Sequence, residues 1–155
     1  MWTANAARDF GTAAAFIADA RKHDPTSVDY IGLLIGVLIS YARPFRELDD
    51  ADIRRADVRN RYLLDLGTDL GVDLTLHATT LGMRDRLIAR SIEPPEQATH
   101  RTPKLNNPRL RSFEFPNQKL ARLAVGLDLD RVTFMAQSMR LACVFLLAEI
   151  NPPPG

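Results

Sequence analysis

An all-α fold, a bundle of four to five helices with a Pro-rich loop or arm between its last two helical parts, is what this sequence predicts. Apolar residues recur at three-four spacing through several segments, and Gly, Pro, Asp and Ser stand at the ends of those segments, where helices start and stop. The bulk numbers agree: 155 residues, 46% hydrophobic and 25% charged, suit a single globular domain over residues 1–155 that buries a core without staples.

The first helix is expected from about Asp9 to Lys22, with Phe10, Ala13, Ala14, Ile17 and Ala20 on one face and Asp24-Pro25 ending it. The second should begin after Thr26 or Ser27, whose hydroxyl can accept from first-turn amides. Its core stripe is read as Ile31, Leu34, Ile35, Leu38 and Ala42, with Pro44 ending it near Tyr41. Gly32 and Gly36 cost helix propensity, which predicts a neighbouring backbone passing close by.

A third helix, Asp49 to Leu66, mixes Arg54, Arg55, Arg59 and Arg61 with Asp52 and Asp57 around Ile53, Val58, Tyr62 and Leu63, the pattern of a solvated, salt-bridged face. Gly67 and Gly71 then punctuate the chain. A fourth helix, about Val72 to Arg90, carries two adjoining stripes, Leu76-Met83-Leu87 and Leu74-Leu81-Ile88. Ser91 to Pro116 holds five prolines and two adjacent asparagines, which predicts an irregular arm. A short helix from Asn117 to Val125 should stop at Gly126, with Asp128 capping the last helix. That helix has one seam of Leu129, Val132, Ala136, Met139, Cys143, Leu146 and Ile150, and a second of Phe134, Leu141, Phe145 and Ala148. Two seams imply that it is sandwiched, inside its own bundle or against a second subunit. Asn151-Pro152 ends it.

Net charge of +1 gives no global field to draw in nucleic acid, so any charged partner must meet a local patch. Three histidines and one cysteine, without ligand spacing, predict no metal and no cofactor, and no phosphate loop or nucleophile elbow occurs. The lone Cys143, in an apolar run, is expected to be a core hydrophobe in a reducing, cytoplasmic setting. Arg8 and Asp9 interrupt any leader-like apolar run, and Ile31 to Ala42 is shorter than the ~20 residues of a span, so no membrane role is expected.

Two features stand apart: Tyr41-Ala42-Arg43-Pro44-Phe45, and the run from His77 to Ser91 with Arg84-Asp85-Arg86-Leu87-Ile88-Ala89 inside it. Together they resemble the signature of HEPN (higher-eukaryote and prokaryote nucleotide-binding) domains, over about Asp29 to Ser91. The resemblance implies a helical homodimer. It also implies a shared cleft built on an arginine, four to six intervening residues and a histidine, which in active members cleaves RNA without metal. Arg84 and Asp85 match the motif's first two positions and Ala89 its alanine, but Arg90 stands where the histidine belongs. A guanidinium cannot exchange a proton near neutrality, whereas an imidazole can, so the expected role is binding without catalysis.

The candidate ligand-binding residues are therefore Arg84, Asp85, Arg90 and His77, with no catalytic residue. His77 lies two turns from Arg84, about 10 Å along an ideal helix, too far for joint attack within one chain. Helix packing is its plainer role. Arg101, Lys104, Arg109 and Arg111, with no acid between them and Phe113 and Phe115 following, form a possible polyanion contact. Three functions compete: a non-catalytic dimer binding RNA, a nucleotide or a partner protein; a metal-independent endoribonuclease of toxin or phage-defence type; and a structural protein-interaction module.

Overall fold

The computed structural model describes residues 2–46, 53–91 and 126–150, without the side chains of 53–56 and 88–91. Among them every regular element is a helix: α1 (Trp2–Ala20), α2 (Val28–Arg46), α3 (Ile53–Asp69), α4 (Leu74–Ser91) and α5 (Leu129–Ile150). The all-α bundle is as predicted. The Asn117–Val125 helix, the Ser91–Pro116 arm beyond its first residue, the Asp49 start and the Asn151-Pro152 stop lie outside the described residues.

Helix α1 starts seven residues before Asp9 and ends two before Lys22. The extra turns exist because Thr3 and Ala6 continue the buried stripe of Phe10, Ala13, Ile17 and Ala20, and because the Arg59 guanidinium of α3 lies 3.8 Å over the Trp2 ring. Thus Arg59 is no member of a purely solvated face. Helix α1 is central to the packing, with α2 on one side and α5 on another, while α4 packs on α2 and α3 on α5.

Ser27 caps α2, its Oγ accepting from the Tyr30 amide at 3.1 Å. The buried stripe is Tyr30, Leu34, Val37, Leu38, Tyr41 and Ala42, so the face is turned from the predicted one and Ile31 and Ile35 are only half-buried. Helix α2 also runs through Pro44 to Arg46, contrary to the expected stop at Tyr41. Pro44 forfeits one amide donor, but Tyr41, Ala42, Pro44 and Phe45 are all buried, and that packing offsets the loss. Nor do the two glycines of α2 sit against backbone. Gly36 makes room for the Phe16 ring, 2.9 Å from where its Cβ would stand, and Gly32 has nothing within 4 Å.

The α3 to α4 junction is a Schellman turn. Helix α3 continues through Gly67, and Gly71 takes φ 89°; the Gly71 amide donates to Thr68 O and the Val72 amide to Gly67 O, both at 2.9 Å. Asp73 then caps α4, its Oδ1 accepting from the amides of Thr75 (2.8 Å) and Leu76 (3.1 Å). Asp128 does the same for α5, with the amides of Asp130 and Arg131, both at 3.1 Å. Two substitutions of like chemistry should therefore act in opposite directions. Gly71→Ala forces a Cβ into the left-handed region and should cost about 1–2 kcal/mol. Gly32→Ala, in open space on an exposed helical position, should gain up to about 1 kcal/mol. Urea denaturation midpoints check both.

In α4 the inward side is His77, Thr80, Met83 and Leu87, while Leu74 is exposed. Thr80 tolerates full burial because its Oγ1 donates to Leu76 O at 2.8 Å. Helix α5 buries the predicted first seam from Val132 to Leu146 with Met135 and Ala142 added, and Cys143 is core, its thiol pushed by burial up to about 12. The ends of that seam are less covered: Leu129 is half-buried and Ile150 exposed. The second seam of Phe134, Leu141, Phe145 and Ala148 is exposed, so no other helix among the described residues covers that side of α5. Helices α2 and α5 are long and apolar enough by length and composition alone to cross a bilayer, and half of the α2 window is buried within the bundle.

Candidate functional site

The C-terminal turns of α2 and the middle of α4 meet in a layered cluster. Its floor is aromatic: Phe10 of α1 packs on Tyr41 and Phe45 with ring centroids 5.4 and 5.9 Å apart. The His77 ring stands edge-on to Phe45 at 4.7 Å and to Tyr41 at 5.8 Å. This floor favours the continuation of α2 past Pro44, since Phe45 packs there on Phe10, Tyr41 and His77.

Above the floor His77 makes one polar contact, Nδ1 to Tyr41 Oη at 2.9 Å. Burial, with the nearby Arg46 charge adding to it, holds the imidazole down at about 4, so it is neutral at physiological pH. Burial likewise pushes the Tyr41 phenol well above its usual range. Neither group is poised to exchange a proton near neutrality. His77 thus sits in the core, as a packing residue would, rather than in an open cleft.

The rim is charged. Arg46 Nη2 donates to Asp85 Oδ2 at 2.6 Å and Arg84 Nη1 to Asp85 Oδ1 at 3.2 Å, so one carboxylate is held between two guanidiniums from two helices. Arg84 is a quarter exposed, and its buried Nε has no hydrogen-bond partner among the described residues. Arg86 turns back along the helix, Nε to Gly82 O at 3.2 Å. Of the four residues expected at the ligand site, then, Arg84 and Asp85 are in contact and His77 lies on the same helix, buried against the aromatic floor, while the Arg90 side chain lies outside the described residues. So do Arg101, Lys104, Arg109 and Arg111.

Two partners were not found by sequence reasoning. Arg46 lies 39 residues from Asp85, and only the resemblance around Tyr41 to Phe45, which stops one residue short, hinted at it. Arg43 reaches the buried Asp9 carboxylate at 3.1 Å, tying α2 to α1 beside the same cluster. No groups of three or more His, Cys, Asp or Glu that could hold a metal ion occur among the described residues.

Elsewhere, a groove of about 480 Å³ opens between the α3–α4 turn and the start of α5, lined by Gly71, Asp73, Leu76, Asp130, Arg131, Phe134 and Met135. Its charges are already matched, Arg131 with Asp73 and Asp130 with Arg21. Comparison of the chain with family models, curated proteins and solved structures found no significant match.

Proposed function

We propose that this chain is a non-catalytic, HEPN-like helical domain that binds phosphate groups of RNA or of a nucleotide through the Arg46–Asp85–Arg84 rim. The observation that carries it is the ratio of charges there: two guanidiniums share one carboxylate, leaving a local excess of one positive charge. A guanidinium offers several N–H donors in a planar fork, and each of these two uses few of them on Asp85. The pair is worth little as stability, since both partners are partly exposed. Its arrangement suits a ligand instead, with Asp85 holding two guanidiniums side by side at one partly exposed carboxylate.

The neutral, buried His77 and the raised Tyr41 phenol support binding over turnover, because a metal-independent ribonuclease needs a group that titrates near pH 7. Incubating an RNA pool with the protein and a chelator tests that alternative: new termini that vanish in Arg84→Ala would establish cleavage. For the binding role, fluorescence anisotropy with a short single-stranded RNA and with a nucleoside triphosphate is the direct measurement. Arg84→Ala and Arg46→Ala should each weaken binding by about tenfold, the loss of one charge-assisted contact, and each should lower the salt slope by about one. A double variant that binds as well as the parent would remove the proposal. The protein-interaction reading keeps one observation of its own, the exposed apolar face of α5.

A further inference from the structure

We propose that the outer face of α5 is the docking surface for an amphipathic helix of a partner protein, one whose apolar stripe is flanked by acidic residues on one side and basic residues on the other. The proposal does not rest on phosphate binding, and either can fail alone. Phe134, Leu141, Val144 and Phe145 are each 44 to 54% exposed, and no charged residue interrupts 141–148. Tyr62 Oη of α3 donates to Glu149 at 3.2 Å, which sets the exposed Tyr62 and Val58 beside the C-terminal half of α5. With Ile150 these side chains present on the order of 600–700 Å² of apolar surface, above the roughly 300–600 Å² of the largest patch on a typical monomer.

The charges beside this face define what covers it. On the α1 side the Arg140 side chain lies against Gly11, 3.7 Å from where a Cβ would stand and one turn from the exposed Arg8. On the α3 side the exposed Asp65 and Asp69 continue the stripe of Tyr62 at three-four spacing, with Glu149 next to them. Elsewhere opposite charges meet across helices, Arg21 with Asp130, Arg131 with Asp73 and Arg43 with Asp9. Arg8, Arg140, Asp65 and Asp69 have no ion-pair partner among the described residues. The face thus has a basic flank and an acidic flank, both unmatched.

An anionic lipid surface would be drawn to one flank and repelled by the other. A helix with acids opposite Arg8 and Arg140 and bases opposite Asp65 and Asp69 satisfies both, as flanking charges do along paired helices. Its length follows from the face, since Phe134 to Ile150 spans about 24 Å of helix, or four to five turns. Helix α5 packs on α1 and α3, whereas α2 and α4 carry the rim. A partner on α5 therefore leaves Arg46, Asp85 and Arg84 open, including to the second copy that a shared cleft requires.

The test is fluorescence anisotropy of the full chain with three synthetic peptides of about 20 residues, each carrying a leucine stripe at three-four spacing. One has glutamates on one flank and lysines on the other, the second has lysines on both flanks, and the third has glutamates on both. The mixed peptide should bind at micromolar concentration, about tenfold tighter than either of the others. Arg8→Glu/Arg140→Glu makes both flanks acidic and should move the preference to the all-lysine peptide. Leu141→Glu should weaken all three at least about tenfold, and far-UV circular dichroism should be unchanged in both variants because the three positions are exposed. Equal affinity for the three peptides, or no binding at hundreds of micromolar, overturns the proposal. So does a parent dimer that Leu141→Glu breaks, or flotation with anionic vesicles that Leu141→Glu abolishes, since the face then belongs to a second copy or to lipid.

Discussion

Phe10→Ala is expected to destabilise this protein by about 3–5 kcal/mol, a large cost for a single truncation. Phe10 is fully buried and is the one ring of the aromatic floor contributed by α1, in contact with both Tyr41 and Phe45 of α2. Removing it deletes the transfer free energy of the ring and leaves a cavity at the junction of α1, α2 and α4, where the neighbours are stiff aromatics that cannot collapse into the space. For a chain of this length the thermal midpoint should fall on the order of 10 °C. Val58→Ala, at a position 72% exposed, should stay within about 0.5 kcal/mol and serves as the control. The cavity should also admit water toward His77, so the imidazole of the variant should titrate closer to its ordinary range when followed by NMR. A loss below about 1 kcal/mol would mean that the floor is not packed as described.

The same cluster shows what the sequence can and cannot specify. Helix class was legible, and so were the starts of α2 and α5, because a cap is local: Ser27 and Asp128 are caps whose acceptors bond amides two or three residues on. The early start of α1, the late end of α2 and the Asp73 cap of α4 were not read from the sequence. The buried face of α2 was not legible. From Tyr30 to Ala42 that helix is apolar nearly all round, so three-four spacing fits more than one phase, and what selects Tyr30, Val37 and Tyr41 is the surface of α1 against them. Pro44 inside α2 follows from the same cause, a local stop signal overridden by burial on both sides of it. At the rim the Arg84–Asp85 neighbour pair was visible as a motif, but the second guanidinium comes from Arg46, and nothing local marks a contact across 39 residues. His77 drew attention as a possible ligand because histidine is rare here; its burial against Tyr41 depends on α2 and α4 packing together, which spacing alone does not encode.

That burial makes the pH response of stability the second large effect. The folded imidazole is held down at about 4, by desolvation first and by Arg46 second, whereas in the unfolded chain it returns to about 6.5. Between those values the unfolded state binds a proton that the folded state does not, so stability rises with pH across the window. Acidification from pH 7 should therefore cost nothing until about 6.5, then lose stability steadily to about pH 4, for a total on the order of 2–3 kcal/mol. Asp19, Asp24 and Asp73 are shifted the other way, below the usual carboxylate range, by bonds to Lys22, to Thr26 and to the Leu76 amide respectively. Their contribution is lost only as pH falls through those lowered values, beneath the His77 window. Urea denaturation at pH 7.0 and 4.5 isolates the histidine. The double variant Tyr41→Phe/His77→Leu removes both halves of the 2.9 Å contact, leaving neither polar atom stranded, and should flatten the slope between those two pH values. Tyr41→Phe alone keeps the slope but lowers stability by about 1–2 kcal/mol at neutral pH, because it leaves a buried imidazole nitrogen unbonded. An unchanged slope in the double variant would place the titrating group elsewhere, and His77 would then have to be open to solvent in the folded chain.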